Sequence, residues 1–299
     1  MKTERKTITV TAFLGVFLLS FILNSEKLQA QKPVRKLKDE IIRAELSFAK
    51  TAAQKGISAA FLAFLDQEGL VVNGNNIVNG RKLYAAVPAD TNELLTWYPQ
   101  YARINQDGDF GFTSGPYLYY SKKGSPPVAS GYYFSIWQKD KSGSYKVKFD
   151  GGVNHSEVKE TQVKSIKNVI SETHQYVNKA LNVAPAEKIV MKFETDVKND
   201  ILGQYKKHLS TKCLILRPNE KFYTSSKEYL KSQQEIVQKK FSTIPLIAGY
   251  DQRHKMFYSC GNLALTEASA TKQAYCGYYV RVWQQEKEGW KIVADVQQY

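Results

Sequence analysis

The sequence predicts an α+β fold: two tandem cone-shaped domains, each with N-terminal helices packed on a strongly curved antiparallel β-sheet. Three observations predict it. First, two long segments align at a constant offset. Gly111–Tyr120 faces Phe257–Thr266 and Ser130–Gln138 faces Cys276–Gln284, with the pairs Ser114/Cys260, Ser130/Cys276 and Trp137/Trp283 each 146 positions apart. That period is far longer than a solenoid repeat and marks duplication of a whole domain. Second, helical periodicity opens each copy and strand-like runs close it, which is the order of an α+β domain. Third, 19 Tyr, 14 Phe and 4 Trp supply strand-favouring side chains large enough to line a concave pocket.

The elements follow in order. Residues 1–30 read as an export signal: Lys2, Arg5 and Lys6 precede the apolar run Ile8–Leu23, and Leu28-Gln29-Ala30 offers a small residue for cleavage. The alternative is an uncleaved N-terminal membrane anchor, although the run is shorter than the roughly 20 residues of a relaxed span. Export implies a periplasmic or secreted protein with no stable membrane span once the signal is removed. In the first domain, residues 31–155, the apolar stripe Leu37, Ile41, Ala44, Phe48 and Ala52 predicts a long helix interrupted at Gly56. A second helix over Ile57–Leu65, a short strand at Leu70–Val72 and a third helix at Gly80–Ala85 come next. Longer strands follow, separated by turn signals at Asn105–Gly108, Lys122–Pro127 and Lys139–Gly143. Residues 156–184 are polar and read as a linker. The second domain, residues 185–299, repeats the order: a helix after Pro185 carrying Ile189, Phe193, Val197 and Ile201, a short helix at Gln204–Leu209, a strand at Leu214–Leu216, a helix at Ser226–Gln238, then strands.

Composition narrows the function classes. The net charge is +14, and removing residues 1–30 takes away four basic and two acidic residues, leaving +12. The basic residues are scattered, in pairs such as Lys122-Lys123 and Lys239-Lys240, with no accompanying nucleic-acid-binding motif, so no nucleic-acid partner is expected. His155, His174, His208 and His254 are too dispersed for a metal site, and neither a phosphate loop nor a nucleophile elbow is present. No metal or cofactor is expected.

Several residues are candidates for chemistry. A carboxylate base, a hydrogen-bond donor for a developing oxyanion and a dry cavity would support proton transfer. Asp150, His155 and Asp109 are the catalytic candidates, and Trp97, Tyr117, Tyr119 and Glu45 the ligand-binding ones. If Val147 and Phe149 face the cone, simple alternation turns Asp150 away from it. His155 lies past the strand end, at the mouth or in water. Each tyrosine also fits plain packing, and Glu45 an ion-paired helix surface. Cys260 and Cys276 stand where the first copy has Ser114 and Ser130, a paired replacement that suggests a disulfide; two buried free thiols are the alternative. Cys213 reads as a buried thiol. Aromatics occupy both faces of Gly131–Trp137, so the sheet is expected to be covered on both, the two domains packing as an intrachain pseudo-dimer that is itself a monomer or a homodimer. On that reading Trp137→Ala loosens the interface.

The first copy resembles the nuclear transport factor 2-like superfamily, which includes ketosteroid isomerase, scytalone dehydratase and SnoaL-like cyclases. The resemblance runs over about residues 36–155. It is carried by Ala44-Glu45, Phe48-Ala49, Ala60-Phe61-Leu62, the run Leu95–Pro99, the run Asp107–Pro116, Ser130–Gln138 and the run Asp150–His155. The resemblance implies a helix-lined cone with a pocket at its mouth, and it does not by itself imply catalysis. The second copy departs from it, having Lys255 in place of Asp109 and no equivalent of His155. The favoured reading is a cell-envelope module binding a small apolar or amphipathic ligand. The alternatives are a cone-fold enzyme of isomerase, dehydratase or hydrolase type, and a structural or protein-interaction module with filled cones.

Overall fold

The computed structural model describes residues 34–88, 90–163, 169–173, 185–233, 241–265 and 275–299. The proposed signal and residues 234–238 of the helix expected at Ser226–Gln238 lie outside them. Helix α1 (Val34–Lys55) buries the stripe Leu37, Ile41, Phe48 and Ala52. It ends at Gly56, whose φ of 90° lets the chain turn directly into α2 (Ile57–Phe64). Strands β1 (Leu65–Asn73) and β2 (Asn76–Asn79) form a hairpin, and the Asn79 side chain caps α3 (Gly80–Ala85). Then come β3 (Leu94–Trp97), β4 (Tyr101–Ile104), β5 (Phe110–Tyr120), β6 (Ala129–Lys139) and β7 (Tyr145–Asn154). The stretch read as a linker contributes structure of its own: α4 (Glu160–Val163) and β8 (Ile170–Thr173), which pairs parallel with β4.

The second domain has α5 (Ala186–Asp196), α6 (Ile201–His208), β9 (Leu209–Leu216), α7 (Ser226–Ser232), β10 (Phe241–Tyr250), β11 (Met256–Leu265), β12 (Tyr275–Glu286) and β13 (Gly289–Gln298). Here the helix break falls earlier than the glycine suggests. The Asp200 side chain accepts from Gly203 N–H and starts α6, so Ile201 belongs to the second helix.

Two separate sheets result. The first runs β2-β1-β7-β6-β5-β4-β8, with β3 pairing the far half of β5; the second runs β10-β11-β12-β13-β9. Pairing is antiparallel except at β1–β7, β4–β8 and β9–β13. Strong curvature comes from β5, which pairs with β4 through Gly111–Ser114 and with β3 through Tyr117–Tyr120. At the bend a Cβ on Gly115 would stand 1.8 Å from the Tyr98 carbonyl oxygen, so only glycine fits.

Each cone has its own apolar interior, around Phe48, Phe61 and Trp137 in the first domain and around Phe193, Tyr205 and Trp283 in the second. The outer faces of the two sheets share a third cluster, in which Phe112, Phe134 and Phe149 meet Tyr258, Val280 and Val296. Trp137 therefore belongs to the cone and not to the domain interface. The interface face of β6 is Tyr132, Phe134 and Ile136. Repeat-equivalent turns also meet: Asn105 Nδ2 donates to Asp251 Oδ2 at 3.1 Å, and Asp107 pairs with Arg253 at 2.6 Å. Both pairs join a residue to the one 146 positions later, as happens beside a two-fold axis.

No helix among the described residues is long and apolar enough to cross a membrane. Cys260 and Cys276 are free thiols. The register sets Cys260 opposite Val280, four positions from Cys276 and so about 13 Å from it along the strand, too far for a disulfide. Ser114 and Ser130 are displaced in the same way in the first domain, since Ser114 pairs with Phe134 and Ser130 with Leu118.

Candidate functional site

The first cone is hollow. A cavity of about 260 Å³ opens at its mouth. Phe48 and Phe61 from the helices, Val71 and Val72 from β1, and Tyr84 from α3 form one side. Leu95 and Trp97 from β3, Tyr117 from β5, Tyr133 from β6 and Asp150 to Gly152 from β7 form the other. Tyr278 and Gln298 of the second domain complete the rim with Asn154.

A β-bulge decides what faces this cavity. Between β6 and β7 the register steps from Ile136↔Phe149 to Trp137↔Val147, leaving Lys148 as the extra residue. The slip breaks the alternation, so Val147 packs into the cone, Phe149 into the interdomain cluster, and Asp150 turns back toward the cavity. The orientation that simple alternation gives Asp150 is thus reversed. The same step occurs at Val282/Trp283 in the second domain.

Asp150 receives a 2.7 Å hydrogen bond from Ser135 Oγ. Burial pushes its pKa from 3.8 up to about 8, with the Glu45 carboxylate adding to the rise and Ser135 opposing it. At neutral pH the carboxyl is mostly protonated. The Tyr133 hydroxyl is buried and has no hydrogen-bond partner among the described residues. Burial holds its proton far more tightly than usual. A wall that is otherwise apolar and aromatic thus carries a carboxylic acid, which can donate to an acceptor atom on a ligand.

Glu45 is fully buried one helical turn below Phe48. Its oxygens accept from Trp97 Nε1 at 2.5 Å, from Trp137 Nε1 at 2.8 Å and from Thr113 Oγ1. Burial raises its pKa while these donors hold it down. It is neither surface-exposed nor cavity-lining. It fixes the indole that forms the cavity wall.

No family model matches the sequence, nor does any curated protein. Solved structures do resemble it over one domain's length. A protein of unknown function from Pectobacterium atrosepticum is 17% identical over 40% of this chain and 92% of its own, with a TM-score of 0.32. A nuclear transport factor 2-like protein of unknown function from Shewanella oneidensis is 16% identical over 39% of this chain and 100% of its own, with a TM-score of 0.31. A candidate ketosteroid isomerase from Parabacteroides distasonis is 16% identical over 41% of this chain and 92% of its own, with a TM-score of 0.31. Helices held in a bent sheet, with a pocket at the open end, make up the first domain.

The second domain uses the equivalent positions differently. Asp295 occupies the place of Asp150, and Arg281 that of Ser135, as the cross-strand pairs Ser135↔Asp150 and Arg281↔Asp295 show. Arg281 Nε lies 3.1 Å from Asp295 Oδ1 and the same guanidinium pairs with Glu194. Arg217 Nη2 lies 2.8 Å from Asp295 Oδ2, and Tyr205 donates to the same oxygen at 2.5 Å. Burial alone would raise the pKa of Asp295, yet the two guanidiniums outweigh it and hold it below the usual value. Two buried arginines thus surround Asp295, whereas its counterpart Asp150 faces a cavity.

The structure places Trp97 and Tyr117 on the cavity wall. The Tyr117 hydroxyl, its pKa pushed up to about 12 by burial, donates to Asn154 Oδ1 at 3.0 Å. Tyr119 is outside the cavity, donating to Glu93 at the β3 edge. Asp109 sits in the interdomain turn, accepting from Asn105 Nδ2 at 2.5 Å and from Gln252 N–H at 3.2 Å. His155 packs edge-on against Tyr132, whose ring belongs to the outer sheet face, so it never meets Asp150. Tyr133, Tyr84, Ser135 and Tyr278 escaped the sequence reading. Only the repeat could have flagged one of them: Ser135 is the position that becomes Arg281.

Proposed function

We propose that the first domain binds a small, mostly apolar ligand carrying one hydrogen-bond acceptor, and that the second domain serves as its folded support in an intrachain pseudo-dimer. One observation carries the reading. Two equivalent aspartates have opposite surroundings, Asp295 being neutralised by Arg217 and Arg281 while Asp150 faces open space. An open, acid-lined apolar cavity is the expected form of a ligand site. The cavity volume suits a molecule of one or two rings. The N-terminal basic and apolar segment supports export to the periplasm or beyond.

Trp97 lies on the wall and makes intrinsic fluorescence a direct readout. Titration with a panel of small cyclic ketones and phenols should perturb it. Val71→Trp, which fills the cavity, should abolish the response. A panel that never perturbs the signal, or binding that survives Val71→Trp, would refute the site.

A second reading follows from Asp150. A carboxyl that lines the cavity and has a pKa near neutrality can move a proton to or from a bound ligand. That supports an isomerase-type proton transfer next to a ketone. Deuterium wash-in at the α-carbon of a bound ketone, lost in Asp150→Asn, is its test. Wash-in equal to buffer alone would exclude it.

A further inference from the structure

The second domain does more than cover the first sheet. Its Tyr278 and Gln298 reach the rim of the first domain's cavity. Strand β1 follows β7 only as far as the pair Val71↔Asp150, so it offers no partner to the backbone of Gly152. Tyr278 takes that role. Its hydroxyl accepts from Gly152 N–H at 2.7 Å and donates to the Gly152 carbonyl. Gln298 Oε1 accepts from Asn154 N–H at 2.7 Å, two residues further on. The segment carrying Asp150 is therefore held from its free side by the other domain. Tyr278 is buried at 2% exposure, so its ring is a fixed wall.

We propose that Tyr278, supported by Gln298, is a specificity-determining residue of the first domain's cavity, setting the length of ligand admitted. The proposal rests on the reading of that cavity as a ligand site. It assigns to the second domain a role in selection at the first domain's cavity.

The test uses the full mature chain and a series of 4-n-alkylphenols from methyl to hexyl, with affinity read by calorimetry. In the wild type, affinity should climb with each methylene and then fall once the chain meets the Tyr278 ring. Tyr278→Ala should move the optimum outward by about two carbons and tighten the longer members about tenfold, from the extra apolar burial. Tyr278→Leu repeats this test should the alanine variant fail to fold. Tyr278→Phe keeps the wall but removes the bracket on Gly152. Its optimum should stay in place, while amide exchange at Gly152 accelerates about tenfold or more. If no alkylphenol or other panel member binds the wild type, the cavity reading itself falls. If the wild type binds and the shortened variants keep the same optimum, the role of Tyr278 is overturned while the cavity reading stands.

Discussion

Replacing Asp150 with asparagine should flatten the stability profile between pH 4 and pH 8. In the folded chain the carboxyl keeps its proton until about pH 8, whereas its ordinary value is 3.8. Between those limits the folded state binds the extra proton and the unfolded state has released it. Stability therefore falls as pH rises through the window. Below pH 4 both states are protonated and the penalty vanishes; above pH 8 it is complete. Each pH unit costs up to about 1.4 kcal/mol, so the interval is bounded at about 6 kcal/mol. Water entering the cavity solvates the carboxylate, and we expect about 2–4 kcal/mol in practice. Asparagine has no such titration and still accepts from Ser135. Urea unfolding at pH 5, 6, 7 and 8 should show the variant gaining on the wild type with every step. Parallel profiles, or an Asp150 carboxyl ¹³C resonance that titrates below pH 5, would refute the reasoning.

Other expectations follow from the same contacts. Arg281→Leu leaves the Glu194 carboxylate buried beside little more than Thr243, and should destabilise the second domain by about 3–5 kcal/mol in chemical denaturation. Glu45→Leu strips acceptors from two indoles and a hydroxyl and should cost about 3–5 kcal/mol, while Glu45→Gln, which keeps an acceptor, should cost less than half of that. Unfolded protein should show three reactive thiols with or without reductant. In the folded protein Cys276 should alkylate first, because burial pushes Cys213 and Cys260 up to about 12. Trp137→Ala should empty part of the first cone, costing about 3–5 kcal/mol, and leave hydrogen-exchange protection in β11 and β12 unchanged.

Much of the fold is legible because it is written in local periods. The stripe from Leu37 to Ala52 can bury only as a helix, and Tyr132, Phe134 and Ile136 can share a face only on a strand. The candidate site was less legible. Trp97 and Tyr117 lie on the cavity wall, but Asp109, Tyr119 and His155 are spent elsewhere. Their residue types suited chemistry, while their surroundings were set by chain segments far away in sequence. Asp109 lies under Gln252, and His155 beside the outer face of β6.

What the sequence determined by itself was the doubling of one α+β unit, through a constant offset that survives divergence of the side chains, and the helix and strand faces within each unit, through backbone geometry that acts over a few residues. Tertiary structure alone decided what faces the first domain's cavity and what surrounds the equivalent residue of the second. One bulged residue at Lys148 reverses the alternation and turns Asp150 inward. Arg217, just past the end of β9, and Arg281 on β12 converge on Asp295 and neutralise it. Tyr278 crosses from one domain to brace the other. Each of these depends on where distant segments meet, and the free energy of such a meeting is a property of the packed whole.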